Sequence, residues 1–173
     1  MDRNRKYRDA YVKNGNGEYK YTGEYYRFDM PGEKIREMKW IYAALALSTA
    51  ILFLIAGFIN NEGSKVIYVS LPYVVLLLPI GFMVWDVVKI ASLRGDMTKK
   101  QYDQSVVQLK NVTTAATVLS FLASAGDIVF MALGFASEYQ AKELLFLFLV
   151  MLIGVLNIIF ISMQKKFICK KVV

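Results

Sequence analysis

The sequence predicts an all-α, polytopic membrane protein: a four-transmembrane-helix bundle of two antiparallel hairpins, preceded by a short cytoplasmic N-terminal arm. Three observations lead there. Hydrophobic residues make up 56% of the 173, and the mean hydropathy is +0.39, well above that of a soluble globular chain. Nearly all charge lies outside four long apolar blocks, which lack the polar face that a soluble helix of this length carries. The basic residues also cluster in alternate connections between those blocks, as the positive-inside rule requires of a membrane protein.

Residues 1–39 form the arm, which is polar and charged throughout, so no cleavable signal peptide is expected. Within residues 9–22, Asn14-Gly15-Asn16-Gly17 stands between tyrosine-rich flanks, the chemistry of a β-hairpin turn. A two-stranded ribbon is marginal alone and needs the membrane or a partner against it. Tyr19, Tyr21, Tyr25, Tyr26 and Phe28, with Lys20 and Arg27 between them, suit membrane-surface docking or partner binding. So short an arm cannot build the core of a soluble catalytic domain. Pro31 reads as a first helical position, and Glu33–Lys39 is expected to run as helix into the first span.

A bilayer core needs about 20 helical residues to cross. Trp40–Ile59 is uncharged over 20 residues. Val66–Trp85 is another 20, with the span continuing to about residue 88 past Asp86. Val112–Ala136 is 25 residues interrupted by Asp127, and Leu144–Met163 is 20 without charge. The transmembrane domain therefore covers 40–163, with spans at about 40–59, 66–88, 112–136 and 144–163, followed by a basic tail at 164–173. Pro72 and Pro79 fall inside the second span. Pro79 removes a helix hydrogen bond and crowds the preceding turn, so a kink is expected there. Before the third span, Thr98 and Gln101 fit a capping box, which starts that helix near Lys99 and puts Tyr102 and Asp103 in its first turns.

Orientation follows from charge. Of the 21 Lys and Arg residues, only Lys65 and Lys142 lie in the two short connections; the rest occupy the arm, the middle loop and the tail. Both termini are therefore expected on the cytoplasmic side of the cell membrane. The net charge of +7 is explained by basic residues flanking apolar spans, where anionic headgroups attract them. No nucleic-acid module accompanies it. The first and second hairpins share a loose pattern, Ala43–Ser48 against Ala115–Ser120, each followed by a Gly-Phe pair (Gly57-Phe58, Gly134-Phe135). Small apolar alphabets also generate such matches by chance.

Asp127 is the residue on which chemistry would turn. Counted inward from Ala136 it falls near the midplane, where a carboxyl is costly and faces the bundle interior. Thr113, Thr117, Ser120, Ser124 and Asp127 recur at spacings of four, three, four and three, which places them on one helical stripe. Such a stripe could line a proton or cation path; small hydroxyl residues also pack helices closely. Depth matching nominates Ser48 and Thr49 of the first span and Tyr73 of the second as hydrogen-bond partners, in a dry or nearly dry contact. Asn157 in the fourth span shares a face with Gly154 and Ile161, a packing signature. Asp86 and Lys89, three apart, suit an ion pair at the membrane interface, and Trp40 and Trp85 suit an aromatic belt.

There is no histidine, and Cys169 is the single cysteine. No intramolecular disulfide is possible, Cys169 is expected as a free reduced thiol, and the usual neutral-pH base and metal ligand is missing. No metal site, cofactor or enzymatic nucleophile motif is expected. The runs Tyr21-Thr22-Gly23-Glu24-Tyr25-Tyr26-Arg27-Phe28 and Met97-Thr98-Lys99-Lys100-Gln101-Tyr102-Asp103 resemble features of small uncharacterised bacterial four-helix integral membrane proteins. That resemblance covers the whole chain, implies the same topology, and carries no established activity. Disulfide-generating four-helix enzymes need cysteine pairs, and small multidrug transporters are shorter with a carboxylate in their first span; the chain has neither. The expected role is a non-enzymatic binding, accessory or self-assembling subunit whose partners are the lipid bilayer and a homo-oligomer or larger membrane complex. The alternative is a small transporter or channel subunit using Asp127 for proton or cation coupling.

Overall fold

The computed structural model describes residues 10–13, 19–134, 140–167 and 169–172. The Asn14–Gly17 turn and the end of the third apolar block, Phe135 and Ala136, lie outside the described residues. Strands β1 (Tyr11–Lys13) and β2 (Tyr19–Tyr21) pair antiparallel, with Tyr11 opposite Tyr21, as the tyrosine-rich flanks imply. Strand β3 (Tyr25–Phe28) leads into helix α1 (Gly32–Gly57). Pro31 stands at the cap of α1 rather than inside it, in extended backbone, and its carbonyl accepts the first turn's bond from Ile35 N–H at 3.1 Å. A missing N–H costs nothing at that position, since it has no partner inside a helix anyway.

A 3₁₀ turn (Gly63–Lys65) connects to helix α2 (Ile67–Ser92), which runs continuously through Pro72 and Pro79. Strand β4 (Met97–Thr98) precedes helix α3 (Lys99–Ala132). The capping box is present: Gln101 N–H donates to Thr98 Oγ1 at 3.3 Å and Thr98 N–H to Gln101 Oε1 at 2.9 Å. One π turn interrupts α3 at Asp103–Val107. Helix α4 (Gln140–Lys166) is followed by strand β5 (Cys169–Val172). All four helices are long and apolar enough to cross a membrane. Apolar side chains such as Leu47, Leu78, Val118 and Phe148 cover their outward surfaces.

Helix α3 is the central element and packs most extensively against α2 and α4, while α1 packs against α2 and α4. Two glycines set how close these helices come. A Cβ on Gly126 would lie 2.8 Å from the Tyr68 carbonyl oxygen of α2, and one on Gly154 would lie 3.0 Å from Ser120 Oγ of α3. One end of the core is built on Tyr42, Met83, Ile90 and Phe160; the other on Val69, Ala123, Phe146 and Val150.

The basic tail folds as a strand, which residue composition alone does not indicate. β3 lies between β4 and β5 in an antiparallel sheet, with Tyr26 opposite both Met97 and Lys171. The arm's β3, the α2–α3 connection and the tail thus join in one platform at the end of the bundle where α1 begins and α4 ends. Phe28 stacks on Phe167 at 4.3 Å, Phe167 meets Tyr42 of α1 at 5.3 Å, and Tyr26 stacks on Tyr102 at 4.4 Å. Glu24 accepts from Lys171 Nζ at 2.7 Å, Lys99 Nζ at 3.0 Å and Tyr26 Oη at 3.0 Å. Those donors, Lys171 first, hold its carboxyl down at about 2. Arg27 grips Asp96 with two bonds, 2.5 and 2.8 Å.

Candidate functional site

The site forms at the end of the bundle opposite the platform. Because α3 ends at Ala132, Asp127 is only five residues from its terminus, roughly 7.5 Å along the axis, and lies beside the Asn61–Gly63 turn rather than at mid-depth. Its neighbour is Glu143, in the first turn of α4, and the two carboxyl groups come together beside Gly63. Both residues are fully buried.

Glu143 is richly held. Its Oε2 accepts from Asn61 Nδ2 at 2.7 Å, and its Oε1 accepts from the backbone N–H groups of Glu62 at 2.6 Å and Gly63 at 3.0 Å. Successive backbone N–H groups turned toward one oxygen make an anion nest. Gly63 is required by proximity: a Cβ there would sit 2.6 Å from Asp127 Oδ1 and 2.9 Å from Glu143 Oε2. Asp127 contrasts with Glu143. Among the described residues, neither of its oxygens accepts a hydrogen bond from any amide, hydroxyl or amine, and Asn61 Oδ1 is likewise buried without a donor. Two adjoining carboxyls can hydrogen-bond to each other only when one carries a proton, since each ionised oxygen is only an acceptor.

The partners nominated from depth are elsewhere. Tyr73 Oη donates to the Phe53 carbonyl oxygen of α1. Thr49 is buried with its hydroxyl unpartnered, and Ser48 is exposed. None of the three bonds Asp127. The stripe on α3 does share one face: Thr113, Ser120, Ser124 and Asp127 are buried and Thr117 is half-buried. Its hydroxyls mostly turn back on the helix, Ser124 donating to Ser120 O at 2.9 Å and Thr117 to Thr113 O at 2.9 Å. Thr113 also accepts from Gln164 Nε2 of α4 at 3.0 Å. Asn157 is fully buried on α4, and neither its amide nitrogen nor its oxygen has a partner.

Asp86 and Lys89 pair at 2.9 Å, and Lys89 Nζ also donates to Gln104 O at 3.2 Å, which ties α2 to the π turn of α3. A cleft of about 440 Å³ beside them is lined by Trp85, Lys89, Gln101 and Gln104. Among the described residues no group of three or more His, Cys, Asp or Glu could hold a metal ion.

Sequence reasoning found Asp127 and missed Glu143, Asn61 and Gly63. All three stand just outside the uncharged windows, where polar residues are ordinary. The one usable signal was a lone acid at the mouth of an otherwise uncharged span. No protein-family model matches the chain, and no curated protein or solved structure is significantly similar to it.

Proposed function

We propose that the chain is a non-enzymatic membrane subunit that binds or assembles with other subunits through its platform. The four helices cross the bilayer of a bacterial inner membrane, with both termini and the platform in the cytoplasm. The orientation rests on the basic residues, of which Lys65 and Lys142 alone lie in the two short connections. The observation that carries the reading is the platform itself. Three separate segments are drawn into one sheet and fastened by Glu24, Arg27 and stacked aromatics, and beside it β1–β2 leaves Tyr19 71% and Val12 53% exposed. Exposed apolar groups on a short, open-edged ribbon suit a partner surface or strand addition.

The test is the size of the assembly extracted from native membranes in gentle detergent, measured by light scattering after size exclusion. A stoichiometric complex, reduced by Tyr19→Ser with Val12→Ser, is the expected result. A monodisperse monomer in both cases overturns the reading.

A second reading, a small transporter or channel subunit using Asp127 for proton or cation coupling, is favoured by one observation. A buried pair of carboxyls continues a buried polar row, Thr113, Ser120, Ser124 and Asp127, on one face of α3. Its test is cation-dependent flux in proteoliposomes. Asp127→Asn should abolish flux with expression and assembly intact; flux that survives the substitution refutes coupling through Asp127.

A further inference from the structure

The pair Asp127–Glu143 carries a charge requirement that the helices do not meet by themselves. Two adjacent buried carboxylates are strongly unfavourable unless hydrogen bonds or positive charge offset them. Glu143 has three donors, from Asn61, Glu62 and Gly63. Asp127 has none, although both its oxygens are buried, and Asn61 Oδ1 is a further buried acceptor without a donor.

The charged groups around the site have other arrangements. On the α1–α2 connection, Glu62 and Lys65 pair with each other at 2.9 Å, both substantially exposed. On α4, Lys142 is exposed and already engaged in an interaction. On α2, the nearest group to Gly126 is the Tyr68 backbone carbonyl, another acceptor. The cluster is therefore rich in oxygen: both oxygens of Asp127, Oε2 of Glu143 and Oδ1 of Asn61. Hard oxygen donors select hard cations. Only one carboxylate lacks compensation, so the matching charge is a single positive unit.

We propose that Asp127, Glu143 and Asn61 form a site for one monovalent hard cation, H⁺ or Na⁺, taken up from the side of the membrane opposite the termini. Among the described residues, the Asn61–Gly63 turn covers it there. The cation joins three elements at once: α3 through Asp127, α4 through Glu143, and the α1–α2 connection through Asn61 and the N–H groups of Glu62 and Gly63. Occupancy therefore closes that end of the bundle. The proposal rests on the membrane orientation given above, not on transport; a protein that binds the cation and moves none satisfies it.

The experiment is thermal unfolding of the full chain in lipid nanodiscs, with Na⁺ replaced by choline and the pH stepped from mildly acidic to mildly alkaline. The wild type is expected to lose stability only when both H⁺ and Na⁺ are scarce. Restoring either cation should raise the midpoint by roughly 3–5 °C per tenfold excess over its dissociation constant, for a chain of this size. Recovery with acid alone assigns the proton; recovery with Na⁺ at alkaline pH assigns the metal ion, and binding of radioactive Na⁺ then follows it. Asp127→Asn, which keeps the shape and removes the charge, should flatten both responses. Asn61→Ala and Glu143→Gln serve if that variant fails to fold, and each should weaken the response at least tenfold in cation concentration. Responses of equal size in wild type and every variant overturn the proposal. Flux measured on the same protein reconstituted in proteoliposomes separates the two ideas, since absence of flux with an intact cation response refutes transport alone.

Discussion

The carboxyl of Asp127, five residues from the end of α3, meets the carboxyl of Glu143 in the first turn of α4, and both are sealed from solvent. Across that contact the two acids are held unequally, one by three N–H donors and the other by none. Replacing Glu143 by Ala strands the Asn61 amide and two backbone N–H groups in a buried place. At roughly 1–3 kcal/mol for each unsatisfied group, the loss should be about 3 kcal/mol or more. Thermal unfolding in detergent measures it; a change within experimental error shows that the nest is not holding the end of the bundle.

Gly63→Ala should be costly and Gly81→Ala harmless. The first adds a methyl 2.6 Å from Asp127 Oδ1 and 2.9 Å from Glu143 Oε2, whereas the second meets nothing within 4 Å. Gly81 also lies inside helix α2, where Ala is favoured over Gly by about 0.5–1 kcal/mol. Side-by-side melting curves of the two variants check the contrast, with a lower midpoint for the first and an equal or higher one for the second.

Gly154→Val should force α3 and α4 apart. Its Cβ alone would lie 3.0 Å from both Ser120 Oγ and Phe121 Cζ, and overpacking of this kind costs about 1–3 kcal/mol. Introduced cysteines reporting the α3–α4 distance would register the separation, and an unchanged distance would show that the seam yields.

The platform should respond to acid. Glu24 is held at about 2 by Lys171, Lys99 and Tyr26, against an ordinary value of 4.5. A depressed carboxyl stabilises the folded state above its ordinary value and loses that contribution as pH falls through its folded one. Protection of β3 and β5 from hydrogen exchange should therefore decline between pH 4.5 and about 2. Glu24→Gln should show reduced protection at neutral pH and a smaller loss across that window, the remainder coming from the Arg27–Asp96 pair, whose carboxyl is also held below its ordinary value.

Cys169 should resist alkylation at neutral pH. Burial pushes its thiol up to about 11, and the thiolate is the reactive form. Maleimide labelling of the native protein should be slow, and fast once detergent is replaced by denaturant; equal rates would show that β5 is not docked on β3.

What the sequence determined by itself is local. Four apolar blocks, the capping box of Thr98 and Gln101, the strand pairing within residues 9–22 and the Asp86–Lys89 bond all depend on neighbours near in sequence or on a composition window, and all were legible from spacing; the Tyr11–Tyr21 register was not. The tertiary structure decided the rest. That Asp127 meets Glu143 rather than Thr49 or Tyr73 depends on the axial offset and rotation of α3 against α4, which the close contact at Gly154 helps set and periodicity along one helix does not encode. That the tail becomes β5 depends on backbone hydrogen bonds to β3, whose donors and acceptors every residue carries alike. Depth along a span located Asp127 as the residue to watch. Only the folded chain could bring the Asn61–Gly63 turn over it, because that contact joins three segments that the sequence keeps far apart.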